Sequence, residues 1–492
     1  MFGMIWLAVF APALFMPVVY ILGRSMGKKV SWVAFIPLLL STVYLVSLIP
    51  QVAEAPIVES IEWLPGIIFG MSVDSLSLPI VITVVLLSTI IVVYSNPYME
   101  HSIHELYHHE NNKAHATYYA LYLAYVTSMM GVVLSTNLFE FYFFFELMII
   151  PSWALINSYG TGEREKIALM YLLWSIVGAV IFVTGVLSVY ALTHSFEIAD
   201  LILLKGNPNA LIIAVLMLVG LSVKLATFGL HIWLPFAHAE APTPISALLS
   251  PAMIGLAGYG IVRLVIPIGV LGDITTFTLL WGFVTIVYGG LMVLAQTDIK
   301  RLLAYSSVSQ MGYIFVGIAS ATTLGVSGAM MHYVSHGLGK AALFLTAGAI
   351  MHQTGIRDIR QLKGLADRMP ISVVVFLIGC MNIAGIPPTI GFISKTLIFT
   401  GAIGNGVMMA STDFYVALIS LISTALTVAY TFWTVRRIFF GPLPEHLKDV
   451  KEAPPMMIIP MVILCVISIL VGLYPGLILD SMLTVIQSLV GV

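Results

Sequence analysis

Charge is what this chain of 492 residues most lacks. Only 9% of its residues are Asp, Glu, Lys or Arg, against roughly a quarter in soluble domains, which excludes a soluble globular protein. The 21 basic and 23 acidic residues nearly cancel, so no basic surface points to nucleic acid. Its two cysteines, Cys380 and Cys465, both lie in apolar runs without a second ligand nearby. Disulfide frameworks, zinc sites and iron–sulfur ligation are therefore unsupported. His336-Gly337-Leu338-Gly339-Lys340 lacks the first glycine and the final Ser/Thr of a phosphate loop. Gly255-Leu256-Ala257-Gly258-Tyr259-Gly260 lies inside an apolar run, where close helix packing explains it better than dinucleotide binding. No haem or flavin ligand set is present, so no cofactor is expected on this chain.

What is present is apolar: 60% of the residues. A membrane-crossing helix takes about 20 such residues. Fourteen spans can be placed, at 4–22, 31–49, 74–94, 116–134, 138–158, 166–192, 210–232, 244–268, 274–295, 302–320, 325–351, 371–400, 412–435 and 456–478, joined by short loops. The first has no basic leader and no small-residue cleavage site, and is expected to remain as a helix. Basic residues gather on the cytoplasmic side of membrane proteins. With both termini outside, all but five of the 21 basic residues fall in cytoplasmic loops. The exceptions are Lys205 and Arg263 outside, and Lys224, Lys340 and Lys395 within spans.

Those three lysines carry the functional information, because a charge at mid-membrane costs at least ~2.5–3.5 kcal/mol. Desolvation penalises the ammonium form, so such an amine can load and release a proton. Snorkelling or a fixed ion pair is the structural alternative. Glu146, in Phe143-Phe144-Phe145-Glu146-Leu147, is the matching acid, with Lys224 as its expected partner. Glu140, earlier in the same span, reads as an interfacial carboxylate. His332, His336 and Lys340 fall at i, i+4 and i+8, one face of a helix over about 12 Å, a spacing suited to passing protons through water. Phe228-Gly229-Leu230-His231-Ile232-Trp233-Leu234-Pro235 follows Lys224, and Ala384-Gly385-Ile386-Pro387-Pro388 precedes Lys395. Helix breakers at membrane depth normally line a polar cavity. The broken helix is fourth in spans four to eight and again in spans nine to thirteen. The expected fold is thus an all-α polytopic membrane protein with two inverted five-helix repeats, broken at helices 7 and 12. The expected segments are 1–115, three helices and a His-rich loop; 116–268, the first repeat; 269–440, the second; and 441–492, the last helix. Within that loop, His101, His104 or Glu105, and His108 could share a helical face and hold a divalent metal; a solvated loop or a contact with a partner subunit explains the same composition.

These motifs carry a family resemblance over most of the chain. Phe-Phe-Phe-Glu-Leu around Glu146, Lys224 to Pro244 with His-Ile-Trp-Leu-Pro and Ala-Pro-Thr-Pro, Lys300-Arg301-Leu-Leu-Ala-Tyr-Ser-Ser, the His332/His336/Lys340 stripe and Gly385 to Lys395 resemble the antiporter-like subunits of respiratory complex I, Mrp cation/proton antiporters, and archaeal membrane-bound hydrogenase and sulfane reductase complexes. Lys395, where the complex I M-type subunit has glutamate, makes the chain more similar to the Mrp D-type. The resemblance implies that Glu146 and Lys224 gate a first half-channel, Lys340 is the central relay assisted by His332 and His336, and Lys395 is the exit group. It also implies partner membrane subunits and a peripheral redox arm, with iron–sulfur clusters or a nickel–iron centre on those partners, in a cell membrane. Protons are the implied ion and sodium the alternative. The family usually has a bridging lysine or histidine on span eight, where this chain has Ser250 and Gly255. Water held by Ser246, Ser250 or Tyr259 would have to bridge the gap, or translocation is weak. A stand-alone solute transporter and a largely structural subunit are the alternative functions.

Overall fold

The computed structural model describes residues 3–64, 67–407 and 411–491. Among them, eleven helical stretches are long and apolar enough to cross a membrane. Shorter apolar helices make up the rest, including Ala210–Leu225, Pro370–Ala384 and Ile390–Gly404, where Gly and Pro interrupt what composition reads as single spans. The first stretch, Met4–Glu54, folds back on itself: a tight turn at Gly27–Lys29 joins the mutually packed helices Met4–Met26 and Val30–Ser47. Span 138–158 is divided at Met148 into Leu138–Leu147 and Ile149–Tyr159.

Burial separates interior helices from peripheral ones. Every residue in the most apolar window of Thr243–Ile268 is buried, against 33% for Thr412–Phe439. The centre of the molecule is Thr323–Thr354, which packs against Ile299–Ala319, Pro370–Ala384, Ile390–Val407 and Pro455–Leu473. Gly328 makes the contact with Ile390–Val407 possible, since a Cβ there would lie 2.5 Å from the Ile398 backbone nitrogen. Small residues let membrane helices approach this closely.

Two features correct the expectation of short loops alone. Ile57–Leu64 and Ile67–Val73 form an antiparallel hairpin, with Ile57 opposite Val73 and Ile61 opposite Phe69. The Glu59 carboxylate accepts from the Ile5 (3.1 Å) and Trp6 (3.2 Å) amides, satisfying free N–H groups at the start of Met4–Met26 and placing an anion at its positive end. A further helix, Gly476–Val490, follows Pro455–Leu473 and packs on the central helix.

A row of buried cations and imidazoles

The first broken helix ends because Ala226 turns left-handed (φ 57°) immediately after Lys224 and Leu225. Side chains take up the freed backbone groups: Trp233 Nε1 donates to the Val223 carbonyl (2.9 Å), Trp281 Nε1 to the Phe228 carbonyl (2.9 Å), and the Phe228 amide to Thr285 Oγ1 (3.1 Å). Lys224 is thereby held, buried, in a last helical turn. Its Nζ donates to the Tyr171 hydroxyl at 3.3 Å, with Ser175 Oγ at 3.5 Å, and sits 5.1 Å from the Tyr171 ring centre. The expected ion pair with Glu146 is not closed. No oxygen of Glu146 lies within 4.0 Å of Lys224 Nζ, and Glu146 Oε1 has no hydrogen-bond partner in the protein. Tyr171, which also bonds Ser152 (2.8 Å), takes the lysine instead. Glu140, in the first turn of Leu138–Leu147, is fully buried, and its carboxylate accepts the Gly70 amide of the hairpin (3.1 Å).

The second break mirrors the first. Pro370–Ala384 stops at Gly385 (φ 79°), the Pro387–Pro388 peptide is cis, and the helix resumes at Ile390. Asn382 ties the two halves to the centre. Its Nδ2 donates to the Ser335 carbonyl (2.7 Å), while its Oδ1 accepts from Ser335 Oγ (3.0 Å) and the Gly391 amide (2.8 Å). Lys395 Nζ reaches back across the break to the Ile383 carbonyl (2.7 Å) and lies 4.0 Å above the Tyr313 ring, a favourable cation–π placement.

Between the breaks, His332, His336 and Lys340 are all fully buried on the central helix, sharing the face that their spacing predicts. His332 Nδ1 meets Ser394 Oγ at 3.0 Å, next to Lys395. Lys340 Nζ donates to the Leu303 carbonyl (3.0 Å) and to Ser306 Oγ. Neither ring nitrogen of His336 has a partner in the protein, and the ring is within electrostatic reach of Lys340, His332 and His238.

The gap expected at span eight has a structural cause. Leu249–Met253 forms a π-turn around Pro251, a distortion frequent at functional sites. A Cβ on Gly255 would lie 2.3 Å from the Tyr333 ring, whose hydroxyl donates to the Ala252 carbonyl (3.1 Å), so Tyr333 fills the place of a longer side chain. The three hydroxyls expected to hold water each bond a protein group: Ser250 bonds Ser307 (2.7 Å), Ser246 donates to the His238 carbonyl (3.0 Å) and Tyr259 to the Val133 carbonyl (2.8 Å). Two residues overlooked in the sequence lie here. His238, on Trp233–Glu240, is fully buried with both ring nitrogens unpartnered in the protein. Lys300, expected in a loop, is buried and donates to the Ala241 carbonyl. The signal for His238 was an ionisable residue shortly after a helix break.

The His-rich stretch is mostly helix, since Ser77–Tyr107 carries His101 and His104. His101 bridges Glu105 (3.2 Å) and faces the His352 ring at 4.9 Å. Among the described residues, no group of three or more His, Cys, Asp or Glu is placed to hold a metal. Arg263, expected outside, closes the helix Ile254–Leu264, where it bonds Tyr259 (3.0 Å) and the carboxylate of Asp74.

A multi-pass helical membrane protein whose buried amines and imidazoles run between two broken helices is built to pass ions along its interior. The chain belongs to the family described as "NADH:quinone oxidoreductase/Mrp antiporter, TM", which matches residues 135–427, and it is an antiporter-like, ion-translocating membrane protein. It is 30% identical to NADH-quinone oxidoreductase subunit M of Rhodobacter capsulatus, over 93% of this chain and 90% of that one. It is 29% identical to F(420)H(2) dehydrogenase subunit M of Methanosarcina mazei, over 88% and 86%. A chain in the structure of the Mrp complex from Dietzia sp. DQ12-45-1b shares the fold, with a TM-score of 0.87 and 23% identity over 99% of this chain and 97% of that one.

Proposed function

We propose that the chain moves protons, with sodium as the alternative ion, as one subunit of a larger redox-driven membrane complex. The observation that carries this reading is the row itself: Lys224, His336, Lys340, His332 and Lys395 are buried in a family of ion-translocating subunits. Glu146 and Lys224 gate the first half, Lys340 is the central relay with His332 and His336 beside it, and Lys395 is the exit group. The open Glu146–Lys224 pair supports this gating. An ammonium that has lost its counter-charge holds its proton less tightly and passes it towards Lys340. The relatives' names, a quinone oxidoreductase and a dehydrogenase, support redox chemistry on partner subunits carrying iron–sulfur clusters or a nickel–iron centre, in a peripheral arm. The two breaks support two inverted five-helix repeats, 116–268 and 269–440, within fourteen crossings, flanked by 1–115 and 441–492. The distribution of basic residues supports both termini lying outside the cell membrane.

A largely structural subunit with weak flux is the second reading, favoured by Tyr333 standing where the family resemblance implies a basic residue. Native purification from the source membrane tests the assignment. Co-migration with iron–sulfur or nickel–iron subunits is the expected result. Co-migration with small membrane subunits alone would make it an Mrp-type antiporter driven by the ion gradient, and a lone chain that transports by itself would contradict the proposal.

A further inference from the structure

Lys300 and His238 lie buried between Lys340 and one surface of the protein, and the roles given to Glu146, Lys224 and Lys395 use neither. On that surface, Arg357 lies between two carboxylates, Glu240 at 3.6 Å and Asp298 at 2.9 Å. Thr161 joins the cluster, donating to Glu240 Oε2 (3.0 Å) and accepting from Arg357 (3.1 Å). Thr161 also lines an open cleft of about 680 Å³ with Glu105, Tyr159 and Arg164, and the Glu240 and Asp298 side chains are themselves 13% and 24% exposed, so both carboxylates meet solvent. Asp298 caps the helix Ile299–Ala319 by accepting the Lys300 amide (2.9 Å). The Lys300 side chain turns inward, is only 2% exposed, and bonds the Ala241 carbonyl, three residues beyond His238. Its ammonium is within electrostatic reach of Glu240, Asp298 and Arg357. His238 stacks on Phe344 at 5.2 Å and is within reach of both Lys300 and Lys340. With both ring nitrogens free of protein partners, its imidazole can take a proton on one side and release one on the other.

We propose that Glu240 and Asp298 form a proton mouth, and that Lys300 and His238 carry protons from it to Lys340. The proposal rests on Lys340 being the central relay. In each passage a Lys300 Nζ–H bond breaks and an N–H bond forms on one His238 nitrogen. The opposite His238 N–H then breaks as an Nζ–H forms on neutral Lys340, and water at the mouth reprotonates Lys300 through Glu240 or Asp298. His238 thus links Lys300 to Lys340 from the first broken helix.

Lys300→Arg is the discriminating variant. Arginine keeps the charge and can bond the Ala241 carbonyl, but it does not give up its proton. Translocation is measured as the pH gradient formed by native-membrane vesicles, scaled to the assembled complex on native gels. Lys300→Arg and His238→Gln should each slow it by about 100-fold, the scale at which a proton-transfer group acts, with assembly retained. If Lys300→Arg does not assemble, Lys300→Gln, uncharged but still able to donate to Ala241, takes its place with the same expectation. Parental rates in Lys300→Arg and His238→Gln, alongside a Lys340→Ala complex that does not translocate, would overturn the route while leaving Lys340 as the relay. Parental translocation in Lys340→Ala would remove the destination and overturn both.

Discussion

Lys340→Ala stops ion translocation and leaves the complex assembled. Two independent features give this result. The ammonium is fully buried on the central helix, whose most apolar window is 94% buried, where a charge costs at least ~2.5–3.5 kcal/mol, so its removal takes away a cost rather than a support. The groups it bonds have other partners: the Leu303 carbonyl also accepts from Ser306 (2.8 Å) and Ser307 (3.1 Å). Stability therefore changes little, whereas the row loses the amine at its centre. Loss of a proton-transfer group costs on the order of 10²–10⁴ in rate, which removes measurable pumping. An assembled Lys340→Ala complex that translocates at the parental rate would refute the role given to Lys340.

Arg263→Ala has the opposite profile, a large loss of stability. Arg263 and Asp74 form a partly buried pair, their side chains 16% and 18% exposed, and Asp74 also accepts the Leu76 (2.9 Å) and Ser77 (2.8 Å) amides that open the helix Ser77–Tyr107. Removing the guanidinium strands a carboxylate, and breaking a buried pair costs ~3–5 kcal/mol. It also releases the Tyr259 hydroxyl, which anchors to Val133. The thermal midpoint of the detergent-solubilised complex should fall by several degrees. Replacing Asp74 and Arg263 together by apolar residues should cost less than Arg263→Ala alone, because no charge is left unpaired. A midpoint for Arg263→Ala equal to the parent would show that the pair supports nothing.

The breaks and the central stripe were legible because membrane helices tolerate few exceptions. A lysine among twenty apolar residues, or Gly and Pro at membrane depth, stands out against that background, as Lys224, Lys340, Lys395, Gly229 and Gly385 do. Lys300 did not stand out because it sits beside Asp298 and Arg301, a composition that reads as a solvated loop; only the fold shows its side chain turning inward to Ala241. The pairing of Arg263 with Asp74 was not legible either, the two residues being remote in sequence. That the Glu146–Lys224 pair stands open was not legible, since residue types predict an attraction and the tertiary placement of Tyr171 decides which group Lys224 reaches. The paired strands Ile57–Leu64 and Ile67–Val73 went unread because a pair of strands is not expected among membrane-crossing helices, yet they cap the helix Met4–Met26 through Glu59 and cover Glu140.

The central claim is that protons move through the buried amines, and Lys224→Arg tests it most directly. Arginine preserves the charge opposite Glu146 and can donate to Tyr171 and Ser175, but it does not release its proton at physiological pH. The measurement is the pH gradient formed by vesicles carrying the intact complex, at equal assembled amounts of parent and variant. The account predicts a gradient at background level in Lys224→Arg. A gradient formed at the parental rate would show that protons do not pass through Lys224.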